Sequence, residues 1–395
     1  MWTILFKRNK KILERVLGRQ IVTAAPVHLD RALVLSKMTR YEVEKYCHHH
    51  LTEAELEKLI RSRGSNFESL IEHHQRHKDY ERYVLETFKS LGIETKLQNR
   101  LDYSDSWIES CDAVFPVGGD GTFLLAASRV RQNTKPVIGF NSDPHHSEGF
   151  LCLPKNYSTR VKDVIQQLQE GSFSWMFRTR IRVSLRCKYS EPPIELSDKK
   201  ILGTHRTKLN LGVKNMSSAA SPRPLSPLQP ALALNEVFVG ESLSAQVSYM
   251  EMRLQPRGEV TKVKSSGLCV STGTGSTSWH LSMNRITSHG VQEILRCAGV
   301  PAADYNIIAD KYNHSLLFDP EEAQMCYTIR DLISAGVWPS PPGLPPRAFA
   351  QALWIRSRCR DARLVVDGGT SFTFNDGAEA LFELYPEDTL RTVVL

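Results

Sequence analysis

Between about residue 30 and residue 172, short apolar runs alternate with stretches whose apolar residues recur every three or four positions. Ala32–Leu35, Ile93–Leu97, Ala113–Val117 and Pro136–Phe140 have the length and character of strands. Thr52-Glu-Ala-Glu55 has capping-box spacing ahead of Leu56, Leu59 and Ile60, which predicts a helix start. Phe67 to Leu91 reads as a second helix through Leu70, Val84, Leu85 and Phe88, with Gly92 as its stop. Phe123–Val130 predicts a third. Tyr157–Gln169 predicts a fourth, with Val161, Val164, Ile165 and Leu168 on one face and Gly171 just past its end. Strands alternating with helices predict an open, largely parallel sheet.

From Phe173 the period shortens. Arg178, Arg180 and Arg182 alternate with Ile181, Val183 and Leu185, which predicts a strand with an exposed basic face. Similar runs follow at Lys208–Val213, Ala231–Val239, Gln246–Leu254, Leu268–Ser271, Leu353–Arg356, Leu364–Val366 and Ser371–Phe374. A helical insert is expected from Gly275 to Cys297 and again at Pro320–Gln324. Met216–Pro230 and Val337–Pro346 are rich in proline, which cannot donate to a ladder, so both predict loops. The expected organisation is a basic start over 1–25, an α/β domain over 30–172, a mostly β domain over 173–368 and a C-terminal return segment over 369–395.

The chain has 395 residues, 41% hydrophobic and 24% charged, which excludes wholesale disorder. No apolar run approaches the ~18 residues of a membrane helix, so membrane insertion is not expected. The net charge of +7 suggests a nucleic-acid binder until it is located. Residues 1–25 hold six basic side chains against Glu14 alone, a balance of +5 that leaves only +2 for the rest. No nucleic-acid partner is therefore expected. The basic start also carries Phe6, Leu13 and Leu17 near one helical face, the composition of a mitochondrial targeting segment. Eight scattered cysteines without a C-x-x-C pair read as reduced thiols, not a disulfide framework or zinc site.

The most informative stretch is Gly118-Gly119-Asp120-Gly121-Thr122, set between an apolar strand and a helix. Glycines let a backbone come close to an anion, and a helix start offers free N–H groups and partial positive charge. Asp120 is the unusual element. A carboxylate beside bound phosphate is costly unless it holds a metal or takes a proton from an attacking hydroxyl. No Gly-Lys-Ser/Thr follows, so this is not a Walker loop, and Leu124 breaks the dinucleotide fingerprint.

Gly-Gly-Asp-Gly resembles the family that unites NAD kinases, diacylglycerol and sphingosine lipid kinases and the 6-phosphofructokinases. Val137-Ile-Gly-Phe-Asn141, followed by Gly149-Phe-Leu151, is similar to the NAD kinase segment and not to the lipid kinase one. Asn235-Glu236 matches the Asn-Glu pair of NAD kinases. Gly267-Leu-Cys-Val-Ser-Thr-Gly-Thr-Gly-Ser-Thr-Ser-Trp-His-Leu-Ser282 resembles their Asp-Gly…Thr-Gly-Ser-Thr signature, with Ser266 where the family has an aspartate. Asp367-Gly-Gly369 looks like their late Asp-Gly turn. The longer loops and basic start most resemble the mitochondrial members.

The resemblance implies a Rossmann-like open-sheet N-terminal domain and a mostly β, NAD-binding C-terminal domain, the NAD kinase/diacylglycerol kinase-like fold. It implies transfer of a γ-phosphoryl group from ATP, with Mg²⁺, to the 2′-hydroxyl of the adenosine ribose of NAD. Asp120 would be catalytic. Gly118, Gly119, Gly121, Thr122, Asn141, Asn235, Glu236, Ser266, Thr274, Ser276, Thr277 and Ser282 would bind the nucleotides. A homodimer in the mitochondrial matrix is also implied. A lipid kinase of the same superfamily and a nucleotide-binding protein without turnover are the alternatives. His73, His74 and His77 are read as a solvated helix face, as is His48-His49-His50. Asp143, His145, His146 and Glu148 lie in the extended loop and either line the site or solvate it.

Overall fold

The structure, a computed structural model, describes residues 24–144, 149–186, 193–196, 230–255, 258–300, 304–333 and 344–395. The basic start to residue 23, Lys208–Val213, the Ser/Pro/Ala stretch to residue 229, His145, His146, Glu148 and most of the proline segment after Val337 lie outside these residues. The chain divides into two units, one of residues 1–177 and 390–395 and one of residues 178–389.

The first unit begins with strand β1 (Arg31–Ser36), then helices α1 (Arg40–Cys47), α2 (Glu53–Ser62) and α3 (Phe67–Ser90). Thr39 and Thr52 each close a capping box, so α1 and α2 start where the local chemistry places them. There follow β2 (Glu94–Gln98), α4 (Asp105–Ser110), β3 (Ala113–Gly118), α5 (Asp120–Arg129), β4 (Phe140–Asn141) and α6 (Val161–Glu170). Gly171 ends α6 in the left-handed region at φ +76°. The strands pair in the order β2-β1-β3-β4, all parallel. Of the expected Pro136–Phe140 strand only Phe140 joins the ladder fully, together with Asn141 beyond it, while Val137 and Pro136 make isolated bridges. The core under the sheet combines Val34, Phe115, Val117 and Phe140 with Val84 and Phe88 of α3 and Val161, Val164, Ile165 and Leu168 of α6. A ribbon of β5 (Ser174–Arg178) and the last strand, Leu390–Val394, completes the unit.

The second unit holds β6 (Ile181–Arg186), β7 (Ile194–Glu195), β8 (Ala231–Ala233), β9 (Glu236–Glu241), β10 (Ser248–Leu254), β11 (Thr261–Ser265) and β12 (Gly267–Ser271). Three helices follow, α7 (Trp279–Asn284), α8 (Ser288–Cys297) and α9 (Tyr305–Ser315). The last strands are β13 (Met325–Arg330), β14 (Arg347–Ala350), β15 (Ala352–Ser357), β16 (Ala362–Val366), β17 (Thr370–Thr373) and β18 (Glu379–Leu384). Among the described residues they form an antiparallel sheet β11-β10-β15-β18-β6-β8 and a second, β14-β13-β12-β9-β16-β17-β7. Alternate residues of both, among them Met250, Ile355 and Phe382 of one and Val239, Leu268 and Leu364 of the other, bury one shared core.

Three expectations are corrected. The insert includes α9, which sequence periodicity did not reveal, and Pro320–Gln324 is a turn without helix. The arginine strand breaks at Thr179–Arg180, and Arg180 is 1% exposed. Its guanidinium is buried because Asp388 answers it: Arg180 Nε donates to the Asp388 carbonyl, and Arg182 pairs with the Asp388 carboxylate at 2.5 Å. His77 is likewise 1% exposed, so the histidine face of α3 points partly inward.

Candidate active site

In the first unit the site residues gather where β1, β3 and β4 end at their carboxyl edge, the side on which open parallel sheets receive ligands. Gly118 ends β3, and a Cβ there would lie 2.4 Å from Thr122 Oγ1 and 3.0 Å from Lys37 Cβ. The chain's own packing demands that glycine. Gly119 and Gly121 differ. Among the described residues nothing lies within 4 Å of a Cβ built on either. The space beside them is open, which suits an incoming anionic group.

Helix α5 begins at Asp120, three residues before the expected start, so Gly121 and the buried Thr122 belong to its first turn. Asp120 is the first residue of its helix, directly after the N-cap Gly119. Its carboxylate accepts the backbone N–H of Phe150 on Oδ2 at 2.9 Å and that of Leu151 on Oδ1 at 3.1 Å. Gly149 must be small, because a Cβ there would sit 2.5 Å from Asp120 Oδ1. The Gly149-Phe-Leu151 segment therefore aims this carboxylate, a partnership that 30 residues of separation hide from a local reading. Asn141 is buried beside Gly118 in the ladder, and its Oδ1 accepts the Asp143 N–H at 2.9 Å.

Helix α3 supplies a polar wall that the sequence reading placed in solvent. His77 Nε2 meets Ser36 Oγ and its Nδ1 meets Ser142 Oγ, both at 2.9 Å. Burial, reinforced by Lys37 and Lys78, pushes His77 down to about 3, so it is neutral. His73 Nδ1 lies 3.2 Å from Asp143 Oδ2, and Arg76 reaches Asp143 Oδ1 at 3.5 Å. Lys37, directly after β1, is pushed down from the usual lysine range by burial. Its place at a strand's carboxyl end was the signal that could have marked it.

In the second unit, Asn235 and Glu236 sit where β8 turns into β9, packed against the segment after β12. Thr272 N–H donates to the Asn235 carbonyl at 2.9 Å, and Thr272 Oγ1 donates to the Leu234 carbonyl at 2.5 Å. A Cβ on Gly275 would lie 2.1 Å from the Asn235 carbonyl oxygen, so this approach requires glycine. Asn235 Nδ2 reaches Ser278 Oγ at 3.3 Å. Asn235 Oδ1 and Glu236 Oε2 are buried with no hydrogen-bond partner among the described residues. Two such acceptors side by side suit the hydroxyl donors of a sugar. Burial, then the charge of Asp367, raises Glu236 to about 8.

The Thr274–Thr277 turn approaches this pair through Gly275; Thr274 Oγ1 accepts from Arg178 at 3.4 Å, and Thr277 Oγ1 donates to the Thr274 carbonyl at 3.4 Å. Ser276 is buried and donates its hydroxyl to the Gly273 carbonyl at 2.7 Å. Ser282 is exposed and donates to the Ser278 carbonyl at 3.2 Å. Ser266 stands apart. It precedes β12 and Glu236 pairs with Ser271 at the other end, about 17 Å away along five strand residues.

No helix among the described residues is long and apolar enough to cross a membrane. The family model described as the ATP-NAD kinase N-terminal domain matches residues 23–173. A Homo sapiens protein named NAD kinase 2, mitochondrial is 40% identical over 380 residues, covering 93% of this chain and 84% of its own. The Rattus norvegicus protein of the same name is 40% identical over 379 residues, covering 93% and 88%. The crystal structure of yeast NADH kinase complexed with NADH superposes with a TM-score of 0.52 at 14% identity, covering 93% of this chain and 84% of that one, a likeness of fold.

Proposed function

The chain belongs to the NAD kinase family, and from that premise we infer that it makes NADP by moving the γ-phosphoryl group of ATP to the 2′-hydroxyl of the adenosine ribose of NAD. The reaction asks little covalent chemistry of the protein. It asks for the hydroxyl and phosphorus in line and for charge to be met as it shifts. The observation that carries the reading is the aimed Asp120 carboxylate beside two glycines whose flanks are open.

In this reading Asp120 takes or orients the hydroxyl proton. Gly118, Gly119, Gly121 and Thr122 let phosphate reach the backbone at the start of α5. Asn235 and Glu236 hold sugar hydroxyls through their unpartnered oxygens. Thr274 and Thr277 face the nucleotide, Asn141 fixes the floor beside Gly118, and Ser276 and Ser282 shape the turn that carries them. Ser266 is assigned to a more distant part of the dinucleotide.

Among the described residues no three His, Cys, Asp or Glu side chains gather to hold a metal. A single carboxylate beside a phosphate turn fits Mg²⁺ all the same, since Mg²⁺ is commonly held by one or two carboxylates and the substrate's phosphates. Bound with the triphosphate, it supplies charge neutralisation. The protein works in the mitochondrion, as its similarity to the human and rat proteins supports. The matrix as its compartment, the basic start as its targeting segment and a homodimer as its assembly are part of this proposal.

The test is NADP formation by the purified protein with NAD and ATP, beside parallel reactions with diacylglycerol and sphingosine as acceptors. NADP alone should appear. Phosphorylated lipid without NADP, or tight NAD binding without product, would overturn the assignment.

A further inference from the structure

Resting on the NAD kinase reading, we propose that Asp367 is a positioning residue for Asn235 and Glu236, setting both their aim and the charge that Glu236 presents to the dinucleotide. Asp367 occupies the turn between β16 and β17. Its Oδ2 accepts the Leu234 N–H at 2.7 Å, and its Oδ1 accepts those of Asn235 at 2.7 Å and Glu236 at 3.1 Å. In return its own N–H donates to the Glu236 carbonyl at 2.9 Å. Three successive amides on one carboxylate, closed by a fourth bond, fix the turn from which both side chains project.

The backbone conformation belongs to the same device. Asp367 has φ +48° and the next residue, Gly368, has φ +64°. Aspartate and asparagine tolerate that left-handed region better than other side chains. A β-branched or bulky residue there would add strain and remove the cradle together.

The charge follows from the geometry. Asp367 and Glu236 are buried carboxyl groups whose charges interact, and two such groups do not both ionise readily. Burial is the largest influence on Asp367 and raises it to about 6, while its three amides and then Arg180 pull it back toward the ionised form; Glu236 is raised further, to about 8. The proton therefore stays on Glu236. Among the described residues Cys269 on β12 also interacts with Glu236, and burial pushes its thiol well up, so it adds no charge. Near neutral pH Glu236 is thus an uncharged acid with one donor and one acceptor, beside an amide with the same capacity. Sugar hydroxyls pair with both, and the anionic phosphates of the dinucleotide meet no charge on Glu236.

The experiment compares wild type, Asp367→Asn and Glu236→Gln, measuring kcat and KM for NAD and for ATP from about pH 6 to pH 9. Asparagine keeps the left-handed turn and one acceptor oxygen but removes the charge. In wild type, kcat/KM for NAD should bend near pH 8, the range where Glu236 ionises. In Asp367→Asn the bend should move about one pH unit toward acid, with KM for NAD up about tenfold and kcat within about threefold. In Glu236→Gln the bend should vanish. A purely structural Asp367 would lower the melting temperature but leave the bend in place, which overturns the proposal. So does a wild-type profile with no bend. NAD titration calorimetry at about pH 6.5 and pH 8.5 reads the same ionisation without turnover. Absence of NADP in wild type would thus sink the kinase reading alone, and an Asp367→Asn variant that fails to fold leaves the wild-type and Glu236→Gln binding profiles to decide.

Discussion

Asp120→Asn separates the job that the structure gives this carboxylate from the catalytic one proposed for it. In the first, Asp120 ties the Phe150 and Leu151 amides to the start of α5. Asparagine offers one carbonyl oxygen, so one amide bond survives and the other N–H faces a donor. Losing a bond to a charged acceptor costs about 1.5–3 kcal/mol, and partial exposure brings this to about 1–2 kcal/mol. The melting temperature should fall by roughly 2–6 °C. In the second, proposed job, Asp120 would take the ribose proton, and its loss should cut kcat by ~10²-fold or more, at least ~2.7 kcal/mol of barrier. The two effects are read separately, by thermal melts and by NADP formation at a temperature where both proteins are folded. A variant that melts early yet turns over within about threefold of wild type would show that the carboxylate is only a clamp, and the proton-transfer role would fall.

Gly275→Ala would place a carbon 2.1 Å from the Asn235 carbonyl, where only backbone movement can relieve it. It should cost about 3 kcal/mol and raise KM for NAD; an unchanged melt and KM would contradict the tight approach. His77, neutral in the fold down to about pH 3, binds a proton below about 6.5 once unfolded. Its stability contribution is therefore complete above about pH 6.5 and declines as pH falls, by about 2 kcal/mol at pH 5. Melts of wild type and His77→Gln across that range should show a flatter acid limb for the variant, and parallel limbs would refute the burial argument. Removing residues 1–23 should leave NADP formation within about twofold while abolishing import into isolated mitochondria; import of the shortened chain would dismiss the targeting role.

How much was legible follows from what each signal encodes. The capping box at Thr52, the stop at Gly92 and the glycine after α6 were readable because helix ends are satisfied by residues within one turn. The strand-turn-helix around Gly118–Thr122 was readable for the same reason. Helix α9 escaped because it buries little more than Ala309 and leaves Ile307, Ile308 and Tyr312 exposed, so it carries no clear apolar face. Arg180 and His77 were misplaced because charge and ring alone say nothing of burial. Asp388 and the two serines that enclose them come from distant segments.

The sequence by itself determined the local grammar, namely a parallel α/β half, an antiparallel half, and an acidic glycine turn whose residue types suit phosphate. Those depend on backbone sterics and on spacing of a few residues. Only the tertiary structure decided that Asp120 is aimed by amides 30 and 31 residues onward, that Asp367 cradles Leu234–Glu236 from more than 130 residues away, and that Ser266 stands apart from the pair it was grouped with. Hydrogen-bond partners and burial are set by which segments the core brings together, and no local period records that choice.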